Sequence, residues 1–139
     1  MSDHIFTVTA ELSASATCAI PVFIAPYAGY VEKVQIAART APIADAGSAT
    51  TGDINIYIKN ETRAVQITST VDVVGSAALA AFNITLTDTI RDREFSKGDV
   101  FTLNQTVSAL SAATAMGFVA ITFHVRHSRY GGQHPGTFA

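Results

Sequence analysis

The chain has 139 residues, enough for one domain that buries roughly two-thirds of the surface its unfolded form exposes. Hydrophobic residues make up 48%, which excludes a disordered chain, while charged residues reach only 14%, against about 25% in typical soluble domains. The net charge is −2 with Lys and Arg scattered, so the basic footprint of a nucleic-acid binder is missing, and no 18-residue apolar run predicts a membrane-crossing helix.

Alanine and threonine take the place of the missing charges. Few charges leave little to keep this surface apart from others, so much of it is expected to be covered by partners. The alternative is a soluble monomer with a Thr/Ser/Ala surface. The start, Met1-Ser2-Asp3-His4, has no cationic region ahead of an apolar stretch, and no signal peptide is expected. The single cysteine, Cys18, sits beside Ala19 and Ile20 and reads as a small core residue; no His-bearing motif accompanies it as a nucleophile would require.

In chain order, Ile5–Ala10 alternates apolar residues with threonine and predicts a first strand. Residues 11–17 read as a loop. Cys18–Ile24 predicts a second strand; Pro21 cannot donate a ladder hydrogen bond, so the strand should lie at an edge or bulge there. After the turn Pro26–Gly29, Tyr30–Ala38 predicts a third strand, with Val34, Ile36 and Ala38 on one face and Lys33, Gln35 and Ala37 on the other. Its parity places Glu32 on the apolar face, near the strand's start. Arg39–Gly52 is a long connection of small and turn-forming residues that crosses between sheets or reaches a partner.

Asp53–Lys59 carries the clearest period in the chain. Ile54, Ile56 and Ile58 occupy every second position, with Asp53, Asn55, Tyr57 and Lys59 on the opposite face. Thr62–Thr68 is expected to return as a hairpin with Val65 and Ile67 inward. Ser69–Ala81 reads as a loop. Val71, Val73 and Val74 could continue a strand, and 75–81 could form one helical turn capped by Ser76. Phe82–Thr87 predicts a strand with Phe82, Ile84 and Leu86 inward; Asp88–Glu94 is a charged turn or rim. Phe95–Val100 is a tight turn around Gly98, Val100–Thr106 a seventh strand and Val107–Ala115 a small-residue loop. Gly117–Arg126 is the last strand. Val119, Ile121, Phe123 and Val125 share one of its faces, and Phe118, Ala120, Thr122, His124 and Arg126 the other.

About eight short strands without a long amphipathic helix predict a single all-β domain over 1–139, a two-sheet antiparallel sandwich of jelly-roll-like type. It would have flexible N-terminal residues and a C-terminal arm at 127–139. The arm holds Tyr130 and Phe138 among glycines, as a segment docking on a neighbouring subunit would; a frayed terminus is the alternative. Unpaired sandwich edges with few charges to blunt them predict a homo-oligomer, a trimer whose subunits cover those edges around a three-fold axis. Partner contact is assigned to Arg39, Pro42 and Ile43 in the long connection and to Tyr130 and Phe138 in the tail.

No motif for chemistry is found. His124 and His127 fall on opposite faces of one strand and would not share a metal; the aspartates each stand next to a turn. No catalytic, metal or cofactor residue is therefore assigned, and the chain is read as not an enzyme.

Two features together resemble a family. One is Gly52–Ile58 followed by a tight hairpin. The other is Phe95–Leu103, followed by a small-residue loop and a last strand containing Phe123-His124-Val125. Their order, over residues 25–126, resembles the small β-sandwich decoration (cement) proteins and head-fibre bases of tailed bacteriophages. The resemblance implies a non-enzymatic protein, usually a homotrimer, that binds the major capsid protein on the outside of the virion and clamps neighbouring subunits. Such a protein is made in the host cytoplasm. No catalytic residues come with it. The rival reading is a carbohydrate-binding sandwich of a fibre tip or lectin, for which Tyr27, Tyr30 and Tyr57 are the plausible stacking platforms.

Overall fold

The computed structural model describes residues 3–12, 17–40, 53–74, 77–108 and 116–127. The chain is a two-sheet antiparallel β-sandwich. The first sheet contains β1 (Asp3–Leu12), β10 (Gly117–His127), β3 (Gly29–Ala38) and β7 (Phe82–Ile84) in that order, with β8 (Glu94–Phe95) also paired to β3. The second runs β2 (Cys18–Ile24), β9 (Val100–Ser108), β4 (Asp53–Asn60) and β5 (Val65–Gln66), with β6 (Val71–Asp72) also on β4. The pairings nest: β1 with β10, β2 with β9, β3 with β7 and β4 with β5. The effect is that of one long hairpin wrapped around itself, the jelly-roll arrangement.

Period-2 patterning explains the core. Ile54, Ile56 and Ile58 of β4 are fully buried, and Val119, Ile121, Phe123 and Val125 of β10 pack opposite them in one continuous cluster. Phe23 joins its aromatic rings. Its ring stacks on Phe123 at 4.9 Å between centroids and meets Phe6 at 5.2 Å and Phe101 at 5.7 Å. Pro21 sits on an edge strand, as expected, and the register also slips between Pro21 and Phe23. The Gly98 turn forms as expected, with φ of 90°. Buried Asp99 locks it: its carboxylate accepts from the Ser96 N–H at 3.0 Å and from the Asn60 amide at 3.0 Å.

Several expectations are corrected. Glu32 does not lie on the apolar face. The β3–β10 register shifts so that Lys33 opposes His124 while Val31 opposes Val125, leaving Glu32 as the extra residue of a β-bulge. The bulge turns Val31 into the core and leaves Glu32 half-buried and ion-paired with Arg126. The return strand after the hairpin is only Val65–Gln66, and Val65 is half-buried; Ile67, fully buried, still donates to the Ile58 carbonyl at 3.0 Å. Val71–Asp72 and Glu94–Phe95 are additional short strands, bringing the described total to ten. The described part of 75–81 is a turn rather than helix, with Leu79 at φ 59°. A four-residue helix α1 (Ile90–Arg93) lies within the charged stretch. Phe82 and Leu86 are packed against the core but only half-buried.

The strand expected over 82–87 divides its pairing between the sheets. After β7, the Thr85 carbonyl accepts from Ser69 N–H at 2.8 Å, Thr87 N–H donates to Ile67 at 3.0 Å, and Thr68 bridges Leu86. Because 67–69 continue from β5, this ladder stitches the two sheets together along one flank. The opposite flank, between β1 and β2, carries no ladder hydrogen bond among the described residues.

Candidate interaction surface

Of the residues assigned to partner contact, Arg39 is described; Pro42, Ile43, Tyr130 and Phe138 lie outside the described residues. Arg39 is exposed just beyond β3. Its N–H donates to the Phe118 carbonyl at 2.9 Å, and Thr40 N–H to Met116 at 3.1 Å, so the β3–β10 ladder continues past the strand end. That continuation holds Arg39 beside Phe118, which is 51% exposed. Leu79, 81% exposed, is brought to the same place by its N–H bond to the Ala38 carbonyl at 2.7 Å. Between them the small side chains of Ala37 and Ala120 leave a shallow apolar hollow of about 210 Å³, closed at one side by Thr9. The sequence assigns Arg39 to partner contact and puts Phe118 on an outward face; the structure sets the two side by side. Leu79 carries no such signal, because the pattern of 75–81 fixes no place on the sheet.

The open flank is a second surface. Val8 of β1 and Pro21, Val22, Phe23 and Ile24 of β2 line an apolar groove of about 350 Å³. Ile24 is 65% exposed beside it, and Ile5 is 63% exposed on β1.

Titratable groups gather at one end of the core. His4 and His127 continue the inward parity of β1 and β10 past the last apolar residues and meet Tyr27 there. The His4 Nδ1 bonds to the Tyr27 hydroxyl, and the rings of Tyr27 and His127 pack edge to face at 4.3 Å. Burial pushes the Tyr27 hydroxyl pKa up. Sequence reading compared His127 only with His124 and missed this cluster; strand parity carried the signal, but the meeting joins residues from three distant segments. His124 instead faces outward, 3.3 Å from the Gln35 amide oxygen. Cys18 is half-buried against the core, as its apolar neighbours predicted.

A polar groove of about 420 Å³ lies beside the Glu32 bulge, lined by Glu32, Lys33, Asn83, Asp88 and Arg93 among others. The Arg93 guanidinium donates to the Val31 carbonyl at 3.3 Å. Among the described residues no three His, Cys, Asp or Glu side chains gather into a group able to hold a metal ion. Tyr27, Tyr30 and Tyr57 are each half-buried, and Tyr27 is engaged with both histidines. Compared with family models, with curated proteins and with solved structures, the chain matches none.

Proposed function

We propose that the chain is a non-enzymatic structural protein that decorates the exterior of a tailed-phage head, bound to the major capsid protein. The phage setting comes from the resemblance carried by Gly52–Ile58, Phe95–Leu103 and Phe123–Val125. The observation that supports attachment through a surface is the hollow at Arg39. Two large apolar side chains, Phe118 and Leu79, stand exposed together on the outer face of a sheet with a cation at their border. An apolar pair that the other described residues leave uncovered gains most by being covered by a partner.

Full burial of two such side chains contributes about 3–6 kcal/mol before the costs of association, and even a third of that is about tenfold in affinity. The test is sedimentation with undecorated heads of the encoding phage. Wild-type protein is expected to pellet with heads to a saturable level. Phe118→Asp/Leu79→Asp, with melting temperature and far-UV spectrum unchanged, should need at least tenfold more protein for half-occupancy. No pelleting by the wild type would overturn the decoration reading, and a hit on a glycan array instead would favour the carbohydrate-binding one. Equal occupancy by the variant would move the contact away from this hollow.

A further inference from the structure

The four lateral sheet edges of this sandwich are treated differently. The edges formed by β7 and β5 are joined to each other through the 67–69 and 85–87 ladder. The β2 edge is blunted twice, by Pro21 and by the register slip at Val22. Prolines and bulges are the devices by which native edges refuse a further strand. The β1 edge has neither. Its ten residues, Asp3–Leu12, pair with β10 in unbroken register and contain no proline and no lysine. Among the described residues no backbone hydrogen bond reaches β1 from any element but β10, so within them its second row of N–H and C=O groups has no backbone partner.

We propose that two copies of this chain join edge to edge through β1, antiparallel about a two-fold axis, to make one continuous sheet across the dimer. Of the two registers that overlap nine residues of the strand, one opposes no like charges. Centred on Val8, it sets Thr7 opposite Thr9 of the other copy, Phe6 opposite Ala10, Ile5 opposite Glu11 and His4 opposite Leu12. Centring on Thr7 would set Asp3 against Glu11 twice, and like charges directly opposed destabilise a ladder. Nine opposed residue pairs supply about nine ladder hydrogen bonds, one per pair on average.

The groove beside the strand supports the same occupant. It runs along the flank between β1 and β2, and its lining of Val8 and Pro21–Ile24 contains no charge. The Phe6, Val8 and Ala10 positions of an added β1 point to the same side of the sheet as those of the first copy. The two apolar flanks then face each other, each covering the other, as an isologous contact requires. This pairing is independent of head binding, and it gives a dimer where the resemblance implies a trimer.

The test uses Thr7 and Thr9, whose side chains are exposed on the outer face and outside the core. Light scattering of the wild type at about 100 μM should give twice the 14.6 kDa chain mass. Thr7→Lys/Thr9→Lys opposes lysine to lysine at both crossing pairs, and Thr7→Glu/Thr9→Glu opposes glutamate to glutamate. Each variant alone should run as a monomer with an unchanged melting temperature at low concentration, and an equimolar mixture should restore the dimer. A wild-type monomer, a wild-type trimer, or charged variants that still dimerise alone would each overturn the proposal. Thr9 also lines the hollow at Arg39, so head binding is separated with Phe118→Asp/Leu79→Asp, which should lose pelleting with heads and keep the dimer mass.

Discussion

Replacing Ile56 by alanine tests the core directly, and Ile5 to alanine is its internal control. Both isoleucines sit in strands with period-2 patterning. Ile56 is fully buried in β4, while Ile5 is 63% exposed on β1. The change removes three carbons. At about 0.8 kcal/mol per buried CH₂, the transfer contribution at Ile56 is about 2.4 kcal/mol. The remaining void adds to this, because β4 is hemmed in by β9 on one side and by β5 and β6 on the other and has little freedom to collapse. The expected total is about 4 kcal/mol, in the upper part of the range for buried Ile to Ala changes. For a chain of this length that lowers the melting temperature by about 12–20 °C. Ile5→Ala should stay within about 0.5 kcal/mol in dilute, monomeric solution. Urea titration followed by far-UV circular dichroism measures both. A loss below about 1 kcal/mol at Ile56, or equal losses at the two sites, would refute the assignment of these faces.

Three further outcomes are expected. Asp99→Ala strips the Asn60 amide and the Ser96 N–H of their shared acceptor and should cost about 2–4 kcal/mol by urea titration; a loss under about 1 kcal/mol would show that neither bond matters. Gly29→Ala places a Cβ 2.1 Å from the Arg126 carbonyl oxygen, a backbone atom, and should cost at least about 1–3 kcal/mol as the β3–β10 ladder shifts. Full retention of the melting temperature would mean that the strands part there at no cost. Alkali gives the third. Burial raises the Tyr27 hydroxyl pKa, and burial followed by the Glu32 charge raises that of Tyr30. The folded state therefore keeps protons that the unfolded state gives up, so stability should be level across the approach to pH 10 and fall as pH rises beyond it. A Tyr27→Phe/Tyr30→Phe protein should show a shallower fall, and an identical slope would remove these tyrosines as its cause.

What sequence alone determined about this protein is local. The isoleucines of β4, the alternation of β10 and the edge position signalled by Pro21 follow from strand geometry, since side-chain direction reverses at each residue and proline lacks a donor. The Gly98 turn follows from backbone freedom. The outward position of Phe118 follows from the same alternation. Tertiary structure decided what depends on partners far along the chain. The nested pairing of β1 with β10 and β2 with β9 joins opposite ends of the sequence, and no local period reports it. The bulge at Glu32 arises because β3 must match β10, which turns Val31 inward against its expected parity. Leu79 joins Arg39 and Phe118 through a hydrogen bond to Ala38, and His4 meets Tyr27 and His127 only once three segments converge at one end of the core. Periodicity states which face of a strand is apolar; which strand covers that face, and which edge is left uncovered, is settled by the contacts that close the sandwich.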